Sequence, residues 1–133
     1  MSEPVVFIIR FKIKEGKAAE FRMHYRESIQ RTFETKPGTL AELAYENEEA
    51  TEFTVIRHFP NADALDRHLH GADERSVKSF TFIEPIRVEI YGSLNPGTLE
   101  KMVKIAGPGT PMEIHPNYTG GFIRQVEAGE RRI

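Results

Sequence analysis

Hydrophobic and polar positions alternate with two different periods along the first sixty residues. Val5–Lys14 starts as a continuous apolar run and ends in alternation, which predicts a strand buried at one end and half-exposed at the other. Apolar side chains then recur every fourth residue, which predicts an amphipathic helix that ends at Pro37 and Gly38. The members of this stripe are Phe21, Tyr25, Ile29 and Phe33. Two short segments, about Leu40–Asn47 and Glu52–Phe59, are typical of a β-hairpin.

A second helix is predicted directly after the hairpin. Asn61 is a good N-cap residue, so the helix should cover about Ala62–His70. A further helical turn should follow, with Val77 and Phe80 facing inward. Pro85 is expected to end that turn because proline does not continue a helix.

The last third of the chain predicts a strand, a helix and an arm. Ile86–Gly92 alternates cleanly, as a strand does. Asn95 and Pro96 predict the start of a third helix, with a cap followed by proline at the first position. We expect one domain with an added third helix over residues 1–106. Residues 107–133 should form an extended C-terminal arm that packs on the domain or on a partner subunit.

The order of these elements predicts the fold class. It is β-α-β-β-α-β followed by an extra helix and the arm, which is typical of an α+β, ferredoxin-like fold with an antiparallel sheet. Both faces of the central strands are apolar, although two helices can cover only one face. The two sets of apolar residues are Val6, Ile8 and Ile56, and Phe7, Ile9 and Val55. A second copy of the chain is the simplest cover, so we expect a homodimer.

Composition excludes several classes of function. The net charge is −2 and no basic block occurs, so nucleic-acid binding and membrane-surface binding are not expected. The chain has no cysteine, which excludes disulfides, thiolate catalysis and cysteine-based metal sites. The apolar run near the N-terminus is too short for a signal-peptide core or a membrane span. We therefore expect a cytoplasmic protein.

Three stretches of the chain carry a resemblance to a known family. They are FKIKEGKAAEFRMHYRESIQRTFETKPGTLAELAY, FTVIRHFPNADALDRHLHG and EPIRVEIYG. Over about Val5–Gly92, the chain resembles the antibiotic biosynthesis monooxygenase (ABM-type) family of the dimeric α+β barrel superfamily. The resemblance implies a dimer with a pocket between helices and sheet in each subunit. It also places His68 on the position of the family's helix histidine. Known members include oxygenases that act on aromatic polyketides without a cofactor.

The two histidines of the second helix raise the question of a metal site. On a helix, His68 and His70 lie about 200° apart around the axis, so they cannot bind one ion together. We therefore expect no metal. His68 lies at the edge of the buried stripe, where it is a candidate general base or hydrogen-bond donor. The alternative is a hydrogen-bonded, half-buried histidine with a structural role.

Other candidates lie on the strands and on the first helix. Arg57 and His58 end the third strand, and one of them must face the helices, where it could bind an anionic or phenolic substrate. Tyr45 and Tyr91 could donate a phenol hydrogen bond to a substrate oxygen. Aromatic side chains should line any cavity and favour a flat apolar ligand. The candidates for this lining are Phe21, Tyr25 and Phe80. All of these residues could equally be core or surface residues.

Three hypotheses follow for the function, of which the third is haem handling with a histidine ligand. The first is a small monooxygenase-like enzyme that needs no cofactor and acts on an aromatic or quinone-like molecule. His68 would act as base or orienting group, and Arg57, His58 or Tyr45 would stabilise the developing oxyanion. The second is a non-enzymatic dimer that binds a small ligand or has a structural role. The absence of tryptophan and of a strong catalytic cluster supports the second hypothesis.

Overall fold

The computed structural model describes residues 3–124 as one five-stranded sheet with helices packed on one face. The elements in chain order are β1 (Val5–Ile13), α1 (Ala18–Thr35), β2 (Ala41–Glu46), β3 (Glu52–Phe59), α2 (Ala62–Leu69), α3 (Ala72–Ser79), β4 (Ile83–Tyr91), α4 (Thr98–Ala106) and β5 (Met112–His115). The strand order is β2-β3-β1-β4-β5. The first four strands are antiparallel, and β5 runs parallel to β4. The predicted ferredoxin-like α+β fold is confirmed. No helix within the described range is long and apolar enough to cross a membrane.

Strand β1 forms the centre of the sheet because every second side chain is apolar. Its inward side chains are Val5, Phe7, Ile9, Phe11 and Ile13, all of which are buried. They pack with the inward residues of β3 and β4 and with apolar residues of the helices, such as Phe21, Leu65 and Met102. The alternate positions of β1, among them Val6 and Ile8, face the other side of the sheet and are only partly buried.

The hairpin of β2 and β3 has a register that brings Glu42 opposite Arg57. Asn47 closes its turn, since its side-chain oxygen accepts hydrogen bonds from the backbone N–H groups of Thr51 and Glu52 at 2.8 and 2.9 Å. The observed bounds agree with the predicted hairpin. The register is important for the site because it places an acid and a base side by side on the inward face.

Helix α2 begins as predicted, with Asn61 as its N-cap. The Asn61 side chain accepts a hydrogen bond from the Ala64 N–H at 2.9 Å. After α2, Gly71 adopts a positive φ of 78° and α3 begins. The predicted inward position of Val77 on α3 is wrong, because this side chain is 72% exposed. Phe80 does pack against the core and is partly buried.

Two proline-based predictions are wrong. Pro85 does not end a helix but lies inside β4 opposite Phe11, where the register shifts by a bulge. A proline is tolerated at a bulge because the ladder does not need its missing N–H there. The third helix, α4, begins at Thr98 and not at Pro96. Asn95 does not cap it with its side chain, which donates hydrogen bonds to the carboxylates of Asp63 and Asp66 instead.

The beginning of the predicted arm adds a strand to the sheet. Met112–His115 form β5 and pair with Val88–Tyr91 of β4, so this part of the arm packs on its own chain. Farther along, Phe122 and Ile123 are exposed. The last nine positions of the arm lie outside the described residues. The division at residue 106 stays a prediction.

Candidate functional site

A row of buried polar groups crosses the interface between the helices and the sheet. Tyr25 of α1 donates a hydrogen bond to Glu42 of β2 at 2.6 Å. Arg57 of β3 donates to the other oxygen of the same carboxylate at 2.8 Å. The Glu42 side chain is only 8% exposed, and the Arg57 guanidinium lies over the Phe7 ring at 5.6 Å. We call these three residues, Tyr25, Glu42 and Arg57, the buried triad.

Electrostatics determine the charge of each member of the buried triad. Burial raises the pKa of Glu42, but the charge and hydrogen bond of Arg57 outweigh burial, so the net pKa lies below its ordinary value. Glu42 is therefore ionised. Burial, together with the nearby negative charge of Glu42, raises the pKa of Tyr25 well above its ordinary value. Tyr25 therefore keeps its proton, and the triad holds one ion pair and one neutral donor.

His68 of α2 lies close to the buried triad and is itself buried, with 5% of its surface exposed. Its Nδ1 is 2.7 Å from the Thr39 hydroxyl, and its ring makes an edge contact with Phe59 at 5.3 Å. Burial, followed by the positive charge of Arg57, lowers the pKa of His68 to about 3. The imidazole is therefore neutral at physiological pH.

A cleft of about 510 Å³ opens beside His68. It lies between α2 and the end of α1 with the loop that follows it. Its lining residues are Thr35, Lys36, Pro37, Gly38, Thr39, Ala64, Asp66, Arg67, His68 and His70. A cavity of this volume is within the range that small-molecule sites occupy. His68 connects the cleft with the buried triad because it lines the first and is electrostatically coupled to Glu42 and Arg57 of the second.

Some of the predicted site residues lie close together in the structure. Arg57, His68 and Tyr25 meet on the helix side of the sheet, as described above. Phe21 packs against the Tyr25 ring, with 6.0 Å between ring centroids, on the side facing Phe53. Phe80 follows the end of α3, where its carbonyl accepts a hydrogen bond from Lys14, and it does not line the cleft. Phe21 and Phe80 are thus core residues around the site and not walls of the cleft.

Three predicted site residues lie on the other face of the sheet. His58 and Tyr45 are out of phase with Arg57 and Glu42 along their strands, so their side chains point away from the helices. The Tyr45 side chain is 58% exposed. Tyr91 also faces outward, where it donates to Glu89 at 2.7 Å and stacks on His115. These residues cannot act in the same site as His68 within one subunit.

The sequence analysis missed Glu42 and Thr39. A detectable signal existed for Glu42, because a tight hairpin turn around residues 47–51 implies the pairing of Glu42 with Arg57. An acidic residue opposite an inward arginine should itself face inward. No comparable signal exists for Thr39. Its contact with His68 joins residues 29 positions apart, which only the packing of α2 on the loop brings together.

The two histidines of α2 lie in different environments. His68 is buried, whereas His70 is exposed at the C-cap of the helix. Within the described range, no group of three or more histidine, aspartate or glutamate side chains is arranged to hold a metal ion.

Solved structures with the same fold include several bacterial proteins. MupZ from Pseudomonas fluorescens superposes with a TM-score of 0.70 at 20% identity, over 93% of this chain and 91% of its own. SnoaB from Streptomyces nogalater, described as a cofactor-independent oxygenase, gives a TM-score of 0.58 at 18% identity, over 73% of this chain and 99% of its own. Rv0793 from Mycobacterium tuberculosis gives a TM-score of 0.57 at 19% identity, over 72% of this chain and 100% of its own. At these identities the likeness establishes the fold alone.

Sequence comparison gives a more specific result. No curated protein sequence matches the chain at a significant level. The family model described as antibiotic biosynthesis monooxygenase matches residues 4–76, which is more than half of the chain and includes the buried triad, Thr39 and His68. The chain therefore belongs to the antibiotic biosynthesis monooxygenase family.

Proposed function

We propose that the protein is a monooxygenase that needs no cofactor and oxidises a small aromatic or quinone-like molecule with molecular oxygen. The observation that carries the proposal is the position of His68, a neutral imidazole that joins the cleft to the buried triad. Family membership and the fold shared with SnoaB, a cofactor-independent oxygenase, support it. The roles of individual residues given below are part of the proposal.

The charges around the cleft favour an anionic form of the substrate. Arg57, Arg75 and Lys36 each lower the pKa of His68 and the ionised Glu42 raises it, so three positive charges and one negative charge act on the ring and leave a net positive potential there. The same potential stabilises a carbanion or phenolate beside the imidazole. His68 is a weak base, since its pKa is about 3, and this favours substrates whose C–H or O–H group is already acidic. Thr39 orients the ring through the Nδ1 contact.

The proposed reaction can be written in full for a substrate whose reacting carbon is a methylene flanked by two aromatic rings, as in an anthrone. The carbon loses one proton to His68 or water, and the carbanion forms a C–O bond to oxygen, which gives a peroxide anion. The peroxide takes up a proton. The carbon then loses its second proton as the O–O bond breaks and water leaves. The sum is CH2 plus O2 giving C=O plus H2O, with oxygen as the only oxidant.

The test is oxygen uptake with the anthrone dithranol as substrate, at a pH where its background oxidation is slow. We expect wild-type protein to accelerate uptake and His68→Asn to lose about 100-fold of that acceleration. His115→Asn is the matched control, because His115 is an exposed histidine on the far side of the sheet. Wild-type uptake equal to the uncatalysed rate, or full activity in His68→Asn, would contradict the proposal.

The weakness of His68 as a base also favours a second candidate function. A buried, neutral imidazole beside an ion pair suits binding without chemistry, so the protein could be a dimeric small-ligand-binding module. This candidate predicts that dithranol or its quinone product binds in equilibrium dialysis while oxygen uptake stays at the background rate. The same pair of measurements therefore separates the two candidates.

A homodimer is part of the proposal. The face of the sheet opposite the helices carries apolar side chains that the described chain leaves partly or largely exposed, among them Val6, Ile8, Leu43 and Ile56. A second sheet of the same kind would cover them. Native mass spectrometry of the purified protein tests this directly, and a monomer at micromolar concentration would contradict it. The cytoplasmic location stays a prediction.

A further inference from the structure

The lining of the cleft carries an excess of positive charge. Among its lining residues, Lys36 and Arg67 are basic and Asp66 is acidic, so the charged groups sum to one positive charge. The Asp66 carboxylate is engaged elsewhere. One of its oxygens accepts from Thr98 and the other from Asn95 at 2.7 Å, so it faces the start of α4 and the segment before it. It is therefore not directed at either base.

The basic residues around the cleft differ in how many of their donors are in use. Lys36 donates to the carbonyls of Arg67 and His70, at 2.9 and 3.4 Å, at the C-terminal end of α2. Arg75, behind them, donates to the carbonyls of His68 and His70. Both side chains thus stabilise the helix end while keeping their charge. The Arg67 side chain has no such role, and no carboxylate of the described chain lies within ion-pair distance of it.

The loop that joins α1 to β2 runs close to the Arg67 guanidinium, which also lines the cleft. A Cβ atom placed on Gly38 would lie 3.5 Å from Nη2 of Arg67 and 3.2 Å from Cβ of Ala64. A side chain at residue 38 would crowd Ala64, so glycine favours this close approach of the loop to α2. Arg67 lines the same cleft as His68, which is the next residue along α2.

We infer that the cleft takes an aromatic carboxylic acid, whose carboxylate binds Arg67 while its ring system extends to His68. A guanidinium with unused donors matches a carboxylate in a two-point contact, and Lys36 adds a second positive charge nearby. One net positive charge among the lining residues suits a monoanion. This inference rests on the proposed function, because it names the class of substrate for the same cleft.

Binding measurements test the inference without relying on turnover. Equilibrium dialysis compares benzoate, 2-naphthoate and anthraquinone-2-carboxylate with the corresponding primary carboxamides, which have the same shape and no charge. We expect wild-type protein to bind at least one carboxylate about 10- to 100-fold more tightly than its amide. Added salt should weaken the binding of the carboxylate and leave that of the amide unchanged.

Arg67→Gln should remove this preference and bring the acid and the amide to similar affinity. Arg26→Gln is the matched control, because Arg26 is an exposed arginine on α1 that does not line the cleft. Lys36→Gln should weaken acid binding less, and its stability is measured alongside because Lys36 also supports the end of α2.

The binding results test the carboxylate site separately from the oxygenase proposal. Equal affinity for acids and amides, or an unchanged preference in Arg67→Gln, overturns the assignment of Arg67. Failure of wild-type protein to bind any of the three acids overturns the substrate class. Acid binding lost in Arg67→Gln, together with oxygen uptake from dithranol at the uncatalysed rate in wild type, would retain the anion site and reject the oxygenase.

Discussion

At the scale of single residues, the burial of His68 makes stability depend on pH. The pKa is about 3 in the folded protein, against an ordinary value of about 6.5 when unfolded. As the pH falls, the unfolded chain binds a proton on His68 before the folded protein does. The contribution of neutral His68 to the stability of the fold is therefore complete above about pH 6.5. It is lost as pH falls from there towards 3. Each unit by which the pH falls in this window lowers the free energy of unfolding by about 1.4 kcal/mol.

The prediction is a difference in slope between wild type and His68→Asn. Between pH 6.5 and 5, the free energy of unfolding of the wild type should fall by about 2 kcal/mol more than that of the variant. Urea denaturation at several pH values measures both curves. Other titrating groups, including His24 and His58, contribute to both proteins and cancel in the difference. Parallel curves would show that His68 is not buried as a neutral group.

The ion pair of the buried triad gives a second prediction at this scale. Glu42→Gln leaves Arg57 without a counter-charge in a mostly buried position, so we expect a loss of about 3 kcal/mol in the free energy of unfolding. Tyr25→Phe removes only a hydrogen bond to Glu42 and should cost about 1–2 kcal/mol. Urea denaturation measures both variants.

The double variant Glu42→Gln/Arg57→Gln is the control for the pairing. In the Glu42→Gln background, Arg57→Gln should reduce the free energy of unfolding by clearly less than the same substitution does in the wild type. The reason is that the substitution then removes a charge that has no partner. If the loss in the double variant equals the sum of the losses in the two single variants, the two side chains do not interact directly.

At the scale of elements, the N-cap of α2 is the local signal with the clearest consequence. Asn61→Ala removes the hydrogen bond to the Ala64 N–H and should reduce the free energy of unfolding by about 1 kcal/mol. Asn61→Asp keeps an acceptor and should retain most of the stability. Asn117→Ala, at an exposed position after β5, is the control and should have little effect. Equal stability of Asn61→Ala and wild type in urea denaturation would contradict the cap.

The elements that the sequence predicted well are those with a local physical cause. The bounds of β3 agree with its alternation, and α2 begins where the Asn61 cap placed it. Errors arose where a distant partner overrode the local signal. Pro85 continues β4 because β1 pairs with it across a bulge, and Asn95 bonds to two aspartates of α2 and does not cap α4.

At the scale of the whole molecule, the uncovered face of the sheet gives a prediction about assembly. Ile56→Lys places a charge in the middle of the face opposite the helices, so we expect it to convert the proposed dimer to a monomer in native mass spectrometry. Met23→Lys is the matched control, because Met23 is an exposed apolar residue on α1, outside this face. Equal mass for wild type and Ile56→Lys would show that this face is not the interface.

The sequence by itself determined the order of the elements from β1 to β4 and the alternation of the strand faces, and the hairpin turn also specifies the partnership of Glu42 with Arg57, although the sequence analysis did not identify it. These features depend on backbone geometry with periods of two and 3.6 residues, which neighbouring residues specify. Only the tertiary structure decided that Tyr25, Thr39 and His68 join that pair, since α1, the loop and α2 must first pack on the sheet. The charge state of His68 was also decided there. Burial and the field of distant cations set its pKa, and neither can be determined from the residue's neighbours along the chain.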